Sequence, residues 1–416
     1  MRPIGIDLFA GAGGLSLGFE QAGFDVAAAV EIDPIHCAVH KFNFPRCATI
    51  CKSVTDVDGA EIRRRAGIGA RDIAVVFGGA PCQGFSLIGK RALDDPRNAL
   101  VHHFVRLVLE LKPRFFVFEN VKGLTIGNHK QFLNEIVEAF EAGGYRVERQ
   151  YRVLNAADYG VPQDRRRLFL MGARPGQRLP SYPEPRDRVT VWEAIGDLPE
   201  AEDFPELVER DWTKARFGKP SAYARRLRRM GAAPFDYSHP RDFARDHLTS
   251  SMRSGHTQLS RDRFAATAHG ATEAVSRFLK LDPAGVCNTL RAGTASDRGA
   301  FTSPRPIHPH TPRCITVREA ARLHSYPDWF RLHVTKWHGF RQVGNSVPPL
   351  LGQAVAAELM KAMEVEPQHP AETLRLGDER LLSMTMAEAA ALFEVPATVI
   401  AKRVRQAQAF VEAAHV

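Results

Sequence analysis

The residues able to do chemistry fall into short blocks, each at the end of an apolar run. Phe9-Ala-Gly-Ala-Gly-Gly14 follows Ile4–Leu8. Glycines at the carboxyl end of a first strand permit a tight turn into a helix and let a ligand approach the backbone. Glu31 follows Val26–Val30, where a carboxylate can accept from two ribose hydroxyls. Together these two features suit a nucleoside-containing cofactor, NAD and FAD included, and a purely structural turn also fits. Gly78-Gly-Ala-Pro-Cys82-Gln-Gly-Phe-Ser86 is a second loop at a strand end. A lone cysteine is usually a core residue, but loops at strand ends are where α/β sheets carry function. Glu119 ends the run Phe115–Phe118; burial there should raise its pKa and allow proton donation near neutral pH. Gln163-Asp-Arg-Arg-Arg167 precedes a further run, and Arg165 and Arg167 would share a side if the strand begins there. A thiol, an acid and an arginine at one sheet edge amount to a nucleophile, a proton donor and an electrostatic clamp.

The elements that must position these blocks are legible in outline. Ile4–Leu8, Val26–Val30, Ile73–Phe77, Phe115–Phe118 and Leu168–Met171 read as buried strands. Pro34–Phe42, Leu100–Leu111 and Lys130–Ala142 read as helices between them, which predicts an α/β domain around a mostly parallel sheet over residues 1–172. From 173 to 290 proline, arginine and glycine dominate, predicting a smaller loop-rich domain reached through a proline-rich linker. Helical patterns return over 291–363, at Thr316–Leu323 and Pro349–Met360. Residues 364–416 read as a linker and a helical tail. Thr385-x-x-Glu388 is a capping box, and a second helix is expected over Ala397–Phe410. The pair is either a helix-turn-helix reader of DNA or a plain hairpin.

Composition narrows the class. The 416 residues carry a net charge of +9, which favours polyanionic partners. Between Asp211 and Met230 lie Lys214, Arg216, Lys219, Arg225, Arg226, Arg228 and Arg229, either a solvated basic face or a phosphate-contacting one. The six cysteines form no C-x-x-C pair, so neither zinc nor a disulfide framework is expected, and all but Cys82 read as core residues. No apolar run approaches the roughly 18–20 residues of a membrane span, and the start, with Gly5 and Asp7 breaking its apolar stretch, reads as no secretory signal.

The ordered series DLFAGAGG, GGAPCQGFS, ENV, QDRRR and QVGNSVPP resembles the cytosine-5 DNA methyltransferase family of bacterial type, over about Ile4 to Leu359. The resemblance implies a Rossmann-like catalytic domain, a target-recognition domain in the middle segment, S-adenosylmethionine as cofactor and double-stranded DNA as substrate. It makes Cys82 the nucleophile on carbon 6 of a flipped-out cytosine. Glu119 becomes the proton-managing contact to the ring, and Arg165 the residue that holds the base carbonyl and positions Glu119. For the cofactor it implies Phe9 on the adenine, Gly11, Gly13, Gly14 and Leu15 along the loop, Glu31 at the ribose, and Ile32 and Pro81 as further contacts. Asn345 and Val347 would complete the pocket, with Asp56 as an adenine contact. Ile32 departs from the aromatic common at its position, and the register at Asp56 departs from the family's pattern. DNA contacts would come from Gln83, Ser86, Lys90 and Arg91 in a mobile loop, from Arg167, and from Arg225, Arg226, Thr289 and Arg291. No metal is implied. The expected setting is a monomer in the bacterial cytoplasm, nucleoid-associated, serving a restriction-modification system with a cognate endonuclease, or else an orphan regulatory enzyme. An RNA cytosine methyltransferase is disfavoured because the chain has no Cys-Phe-Thr tripeptide. An idle DNA-binding homologue is disfavoured by the intact Cys82, Glu119 and Arg165, and an NAD-dependent oxidoreductase would have no use for Pro81-Cys82 beside the arginine pair.

Overall fold

Runs of branched and aromatic residues form strands buried on both faces. In the computed structural model, which describes residues 2–81, 99–125, 129–231, 234–293 and 305–400, these are β1 (Ile4–Leu8), β2 (Asp25–Glu31), β3 (Ala48–Cys51), β4 (Val75–Gly78), β5 (Phe115–Val121), β6 (Arg146–Val147), β7 (Arg152–Asn155) and β8 (Arg166–Ala173). They pair in the order β3-β2-β1-β4-β5-β8-β6, with β7 also on β8. Strands β1 to β5 are mutually parallel, while β8 runs antiparallel to β5, β6 and β7. The expected mostly parallel sheet is therefore present, with an antiparallel edge that the apolar run of β8 alone does not announce.

Alternation along β5 sends Phe116 and Phe118 to one face and Phe115 and Val117 to the other. The first face packs α3 (Gly59–Arg65), α4 (Ala99–Leu111) and α5 (His129–Ala142). The second packs α1 (Gly14–Ala22) and α2 (Pro34–Asn43), joined later in the chain by α9 (Val317–Leu323) and α11 (Pro349–Ala362). Helix α1 lies tightly on α11: a Cβ at Gly18 would stand 2.6 Å from the Pro349 carbonyl oxygen.

The middle segment is loop-rich, holding α6 (Val191–Ile195), β9 (Thr213–Lys214), α7 (Ala222–Leu227), β10 (Arg241–Asp242), β11 (His247–Leu248) and α8 (Gln258–Ala266). The proline-rich stretch expected to be a linker is not one. Tyr182 donates to the Phe169 carbonyl at 2.8 Å, and Tyr182, Val191, Ala194 and Ile195 are buried in the large core. Two small apolar clusters stand apart, Ala201-Leu207-Leu248 and Phe264-Ile307-Cys314; the second crosses the boundary expected at residue 290. Buried ion pairs fasten this region to α9, with Arg322 held between Asp197 and Asp328, and Arg313 between Glu200 and Glu319.

After α10 (Lys336–Asn345) and α11, the tail is docked rather than free. It contributes β12 (Leu374–Arg375), parallel to β10, and α12 (Met386–Leu392), opened by the expected Thr385–Glu388 capping box. Leu381 and Leu382 enter the large core. The second expected helix falls mostly on residues 401–416, outside the described residues. No helix among the described residues is long and apolar enough to cross a membrane.

Candidate active site at the switch point of the sheet

The connections from β1 lead one way to β2 and β3, then resume on the other side at β4 and β5, so the strand order reverses between β1 and β4. Leu8 pairs with Gly78, and the loops after these two strands leave the sheet side by side. Open α/β sheets bind ligands at such a point. A cavity of about 650 Å³ occupies it, a size suited to a cofactor or drug-sized ligand.

The glycine loop forms one wall. Phe9 lines the cavity in the left-handed region, at φ 63°, a conformation an aromatic residue adopts only under constraint. Its neighbour Ala10 donates to the Val30 carbonyl at 3.1 Å, tying the loop to β2. Glu31 is pinned in turn: one carboxylate oxygen accepts from the Gly11 amide at 2.8 Å, the other from the Asp33 amide at 2.9 Å. Each oxygen keeps acceptor capacity toward the cavity. Ile32, Leu15 and Gly14 line the same space. A Cβ at Gly14 would stand 2.5 Å from the Val347 carbonyl oxygen and 2.6 Å from the Tyr326 hydroxyl, so only glycine lets the loop meet the late GNSVPP block. Asn345 and Val347 close that side.

Two expected cofactor contacts lie elsewhere. Gly13, at φ 100°, caps α1 and faces inward; a side chain there would strike the Phe44 and His40 rings rather than the cavity. Asp56 sits exposed in a turn closed by its amide on the Ser53 carbonyl, its carboxylate bonded to the Thr55 hydroxyl at 2.8 Å. Ser53 and Val54, earlier in that turn, line the cavity instead.

The opposite wall carries the titratable groups. Glu119 lies within β5, paired in register with Phe169 of β8, and its side chain is nearly buried. Burial raises its pKa, opposed by the charges of Arg167 and Arg165. Arg167 Nε meets Glu119 Oε1 at 2.9 Å, while a Cβ at Gly79 would stand only 2.3 Å from Oε2. Glycine at 79 thus makes room for the carboxylate. Asn120 donates to the Ala80 carbonyl at 2.9 Å and fixes the exit of β4, and Pro81 reaches the cavity wall. Cys82, Gln83, Ser86, Lys90 and Arg91 lie outside the described residues.

The arginine assignment needs correction. Both Arg165 and Arg167 border the cavity, but it is Arg167 that holds Glu119. Arg165 lies just before β8, its amide bonded to Asn155 Oδ1, and its buried guanidinium donates at 2.8 Å to three carbonyls, of Leu290, Gly344 and Ser346. Burial and the neighbouring Arg167 lower its pKa to about 9, so it stays cationic at neutral pH. Arg165 therefore clamps the returning chain to the GNSVPP block. Arg167, expected on DNA, is the partner of the acid.

Part of the basic stretch is used internally, while Lys214, Arg216, Lys219 and Arg225 are exposed. Arg226 donates to Gln353 at 2.7 Å and is lowered in pKa by burial; Arg228 pairs with Asp197, and Arg229 with Asp236 and Ser238. Arg225 is exposed, as is Arg291, while Thr289 donates its hydroxyl to the Asp164 carbonyl at 2.6 Å. Sequence reasoning missed Asp33, which caps α2 and pairs with Arg341 at the cavity; Asp-Pro opening a helical pattern was the available signal. It missed Gly79 and Asn120 as positioning groups. Among the described residues, Cys37, Cys47, Cys51, Cys287 and Cys314 are buried free thiols, as expected of core cysteines.

Comparison with known proteins agrees with this arrangement. Residues 4–361 match the family of C-5 cytosine-specific DNA methylases. Type II methyltransferase M.XorII of Xanthomonas oryzae is 70% identical over 97% of this chain and 95% of its own length. Type II methyltransferase M1.HphI of Haemophilus parahaemolyticus is 35% identical over 86% of each. A solved DNA modification methyltransferase from an E. coli prophage superposes with a TM-score of 0.73 at 34% identity, covering 87% of this chain and 99% of that one. The chain belongs to the C-5 cytosine-specific DNA methylase family and is a DNA cytosine-5 methyltransferase of Type II kind.

Proposed function

We propose that the protein methylates carbon 5 of a cytosine flipped out of duplex DNA, using S-adenosylmethionine and a covalent bond from Cys82 to carbon 6. The observation that supports this most is the Glu119–Arg167 pair on one wall of the cavity whose opposite wall is the Phe9–Leu15 loop and Glu31, with Pro81 between them. S-adenosylmethionine fits that wall: Glu31 keeps acceptor capacity for ribose hydroxyls, Phe9 is held beside it, and a Cβ at Gly11 would meet nothing within 4 Å, so the loop backbone is open there. When bound, the cofactor supplies an electrophilic methyl group.

The chain's own residues do the rest. The Cys82 thiolate adds to carbon 6; the carbon–sulfur bond forms as the 5,6 double bond opens, its electron pair moving to carbon 5. Glu119, with its raised pKa, donates a proton to ring nitrogen 3 so that negative charge does not build on the base. Arg167 holds Oε1 and leaves Oε2 to face the ring. After the methyl group is in place, a base takes the carbon 5 proton, the thiolate is expelled from carbon 6 as the 5,6 double bond re-forms, and ring nitrogen 3 returns its proton to Glu119. A stacked base cannot bring its edge to a carboxyl this deep, so the cytosine must leave the helix, at a cost of a few kcal/mol. Phosphate contacts from exposed cations such as Arg225 and Arg291 would offset that cost.

The enzyme acts as a monomer in a restriction-modification system, shielding sites from an endonuclease of the same specificity. Transfer of labelled methyl from S-adenosylmethionine to cytosine in duplex DNA tests the reaction. Cys82→Ala should abolish transfer while cofactor binding persists; transfer at the wild-type rate by that variant would overturn the mechanism.

A further inference from the structure

We propose that the C-terminal segment beyond the family's catalytic region is part of the cofactor site, with Ile400 supplying an apolar wall against the nucleoside. This rests on the assignment of the cavity to S-adenosylmethionine. The family match ends at residue 361, yet Ile400 lines the cavity together with Glu31, Ile32 and Asp33.

The route of the chain explains how a residue so late arrives there. Helix α2 begins at Pro34, on the cavity rim, and ends at Asn43, away from it. The tail first meets its far end: the Gly377 amide donates to the Phe42 carbonyl at 2.9 Å, and a Cβ at Gly377 would stand 2.9 Å from the Phe42 Cα, so the backbones touch. The tail is then held by the segment before α10, where the Val334 amide donates to the Leu382 carbonyl at 2.9 Å and the His333 side chain, through Nε2, to the Met384 carbonyl at 3.1 Å. Helix α12 lies on α2 with Ala389 and Ala390 buried, small side chains that allow close packing.

At the end of α12 the chain turns. Glu394, at φ 57°, carries the left-handed residue of a Schellman motif: its amide reaches the Ala391 carbonyl and that of Val395 reaches Ala390. A second turn, Val399 to the Pro396 carbonyl at 2.9 Å, precedes Ile400. Ile400 and Val399 are half-buried, whereas Leu392, on the outer side of α12, is exposed. On the cavity rim Ile32 is itself a large apolar residue left 36% exposed. An adenosine bound beside Glu31 would cover both isoleucines.

Isothermal titration of the full chain with S-adenosylhomocysteine and with adenosine tests this. Ile400→Ser should weaken both by the same factor, about three- to tenfold. Ile400→Leu should stay within about twofold of wild type, and Leu392→Ser should change nothing. The KM for S-adenosylmethionine should rise in Ile400→Ser with kcat unaltered. If wild type binds S-adenosylhomocysteine and Ile400→Ser binds it equally well, the tail is not part of the site while the cofactor assignment stands. If Leu392→Ser weakens binding as much, the effect is one of tail docking and the proposal fails. If wild type binds neither ligand, the cofactor assignment itself falls and takes the proposal with it.

Discussion

Two arginines two residues apart should separate stability from chemistry. Arg165→Met removes a buried guanidinium from three carbonyl acceptors, each at 2.8 Å. Deleting one partner of a buried charged network costs about 3–5 kcal/mol. Unfolding entropy of about 2.1 cal/mol/K per residue over 416 residues makes that a fall in Tm of roughly 3–6 °C. Arg167→Met instead frees Glu119, whose carboxyl escapes the cost of unpaired burial by taking up a proton. The stability loss should then stay near 1–2 kcal/mol, or about 1–2 °C. Methyl transfer should fall at least ~100-fold, because the acid loses the group that orients it. Scanning calorimetry and single-turnover transfer on both variants read these numbers. An Arg165→Met protein that melts with wild type yet is inactive, beside an Arg167→Met protein that transfers normally, would refute the reasoning and return the catalytic role to Arg165.

The remaining predictions concern the walls of the same cavity. Asp7 is buried beneath the glycine loop and accepts from Ser16 at 2.5 Å; burial, and then the charge of Glu31, raise its pKa to about 8. A raised folded-state pKa contributes stability that is present below about pH 4 and is lost as pH climbs toward 8, so Asp7→Asn should flatten the decline in stability over that window; an unchanged slope in urea unfolding across pH 4–8 would contradict the assignment. Gly14→Ala, with its Cβ 2.5 Å from the Val347 carbonyl oxygen, should force the loop off the GNSVPP block and weaken S-adenosylhomocysteine binding by at least ~10-fold in titration calorimetry. Glu119→Gln keeps the shape but cannot donate an acidic proton, so transfer should drop about 100-fold or more and lose its pH dependence near the acid's pKa, read from a pH–rate profile.

Much of the site was legible because its residues stand at strand ends, which apolar runs mark well. Ile4–Leu8 is a strand with those limits, and the glycine loop, Glu31, Glu119 and Pro81 all border one cavity. What the sequence could not settle is which of two like residues faces inward. Arg165 lies just ahead of β8, its amide donating to Asn155 Oδ1 and its carbonyl accepting from the Ala156 amide, and its guanidinium goes among carbonyls supplied by residues 125 and more positions later in the chain. Asp56 is exposed while Ser53 and Val54 line the cavity, because a turn held by its own Ser53–Asp56 bond has no periodicity to read. In the basic stretch Lys214, Arg216, Lys219 and Arg225 stay exposed while Arg226, Arg228 and Arg229 turn inward. Charge counts do not reveal partners distant in sequence, and Gln353 and Asp197 take up Arg226 and Arg228. The tail's capping box was readable, but its docking on α2 depends on two alanines and a Leu381-Leu382 pair too brief to show a pattern.

The proposed mechanism requires a covalent bond from Cys82 to the pyrimidine ring. Duplex DNA carrying 5-fluorocytosine at the methylated position, incubated with S-adenosylmethionine, should trap the enzyme, because fluorine at carbon 5 prevents the elimination that frees the thiol. Mass mapping of the denatured complex should place the nucleotide on the peptide containing Cys82, with no adduct from Cys82→Ala. Full turnover on unmodified DNA with no trapped species on the fluorinated duplex, or an adduct on any other residue, would contradict it.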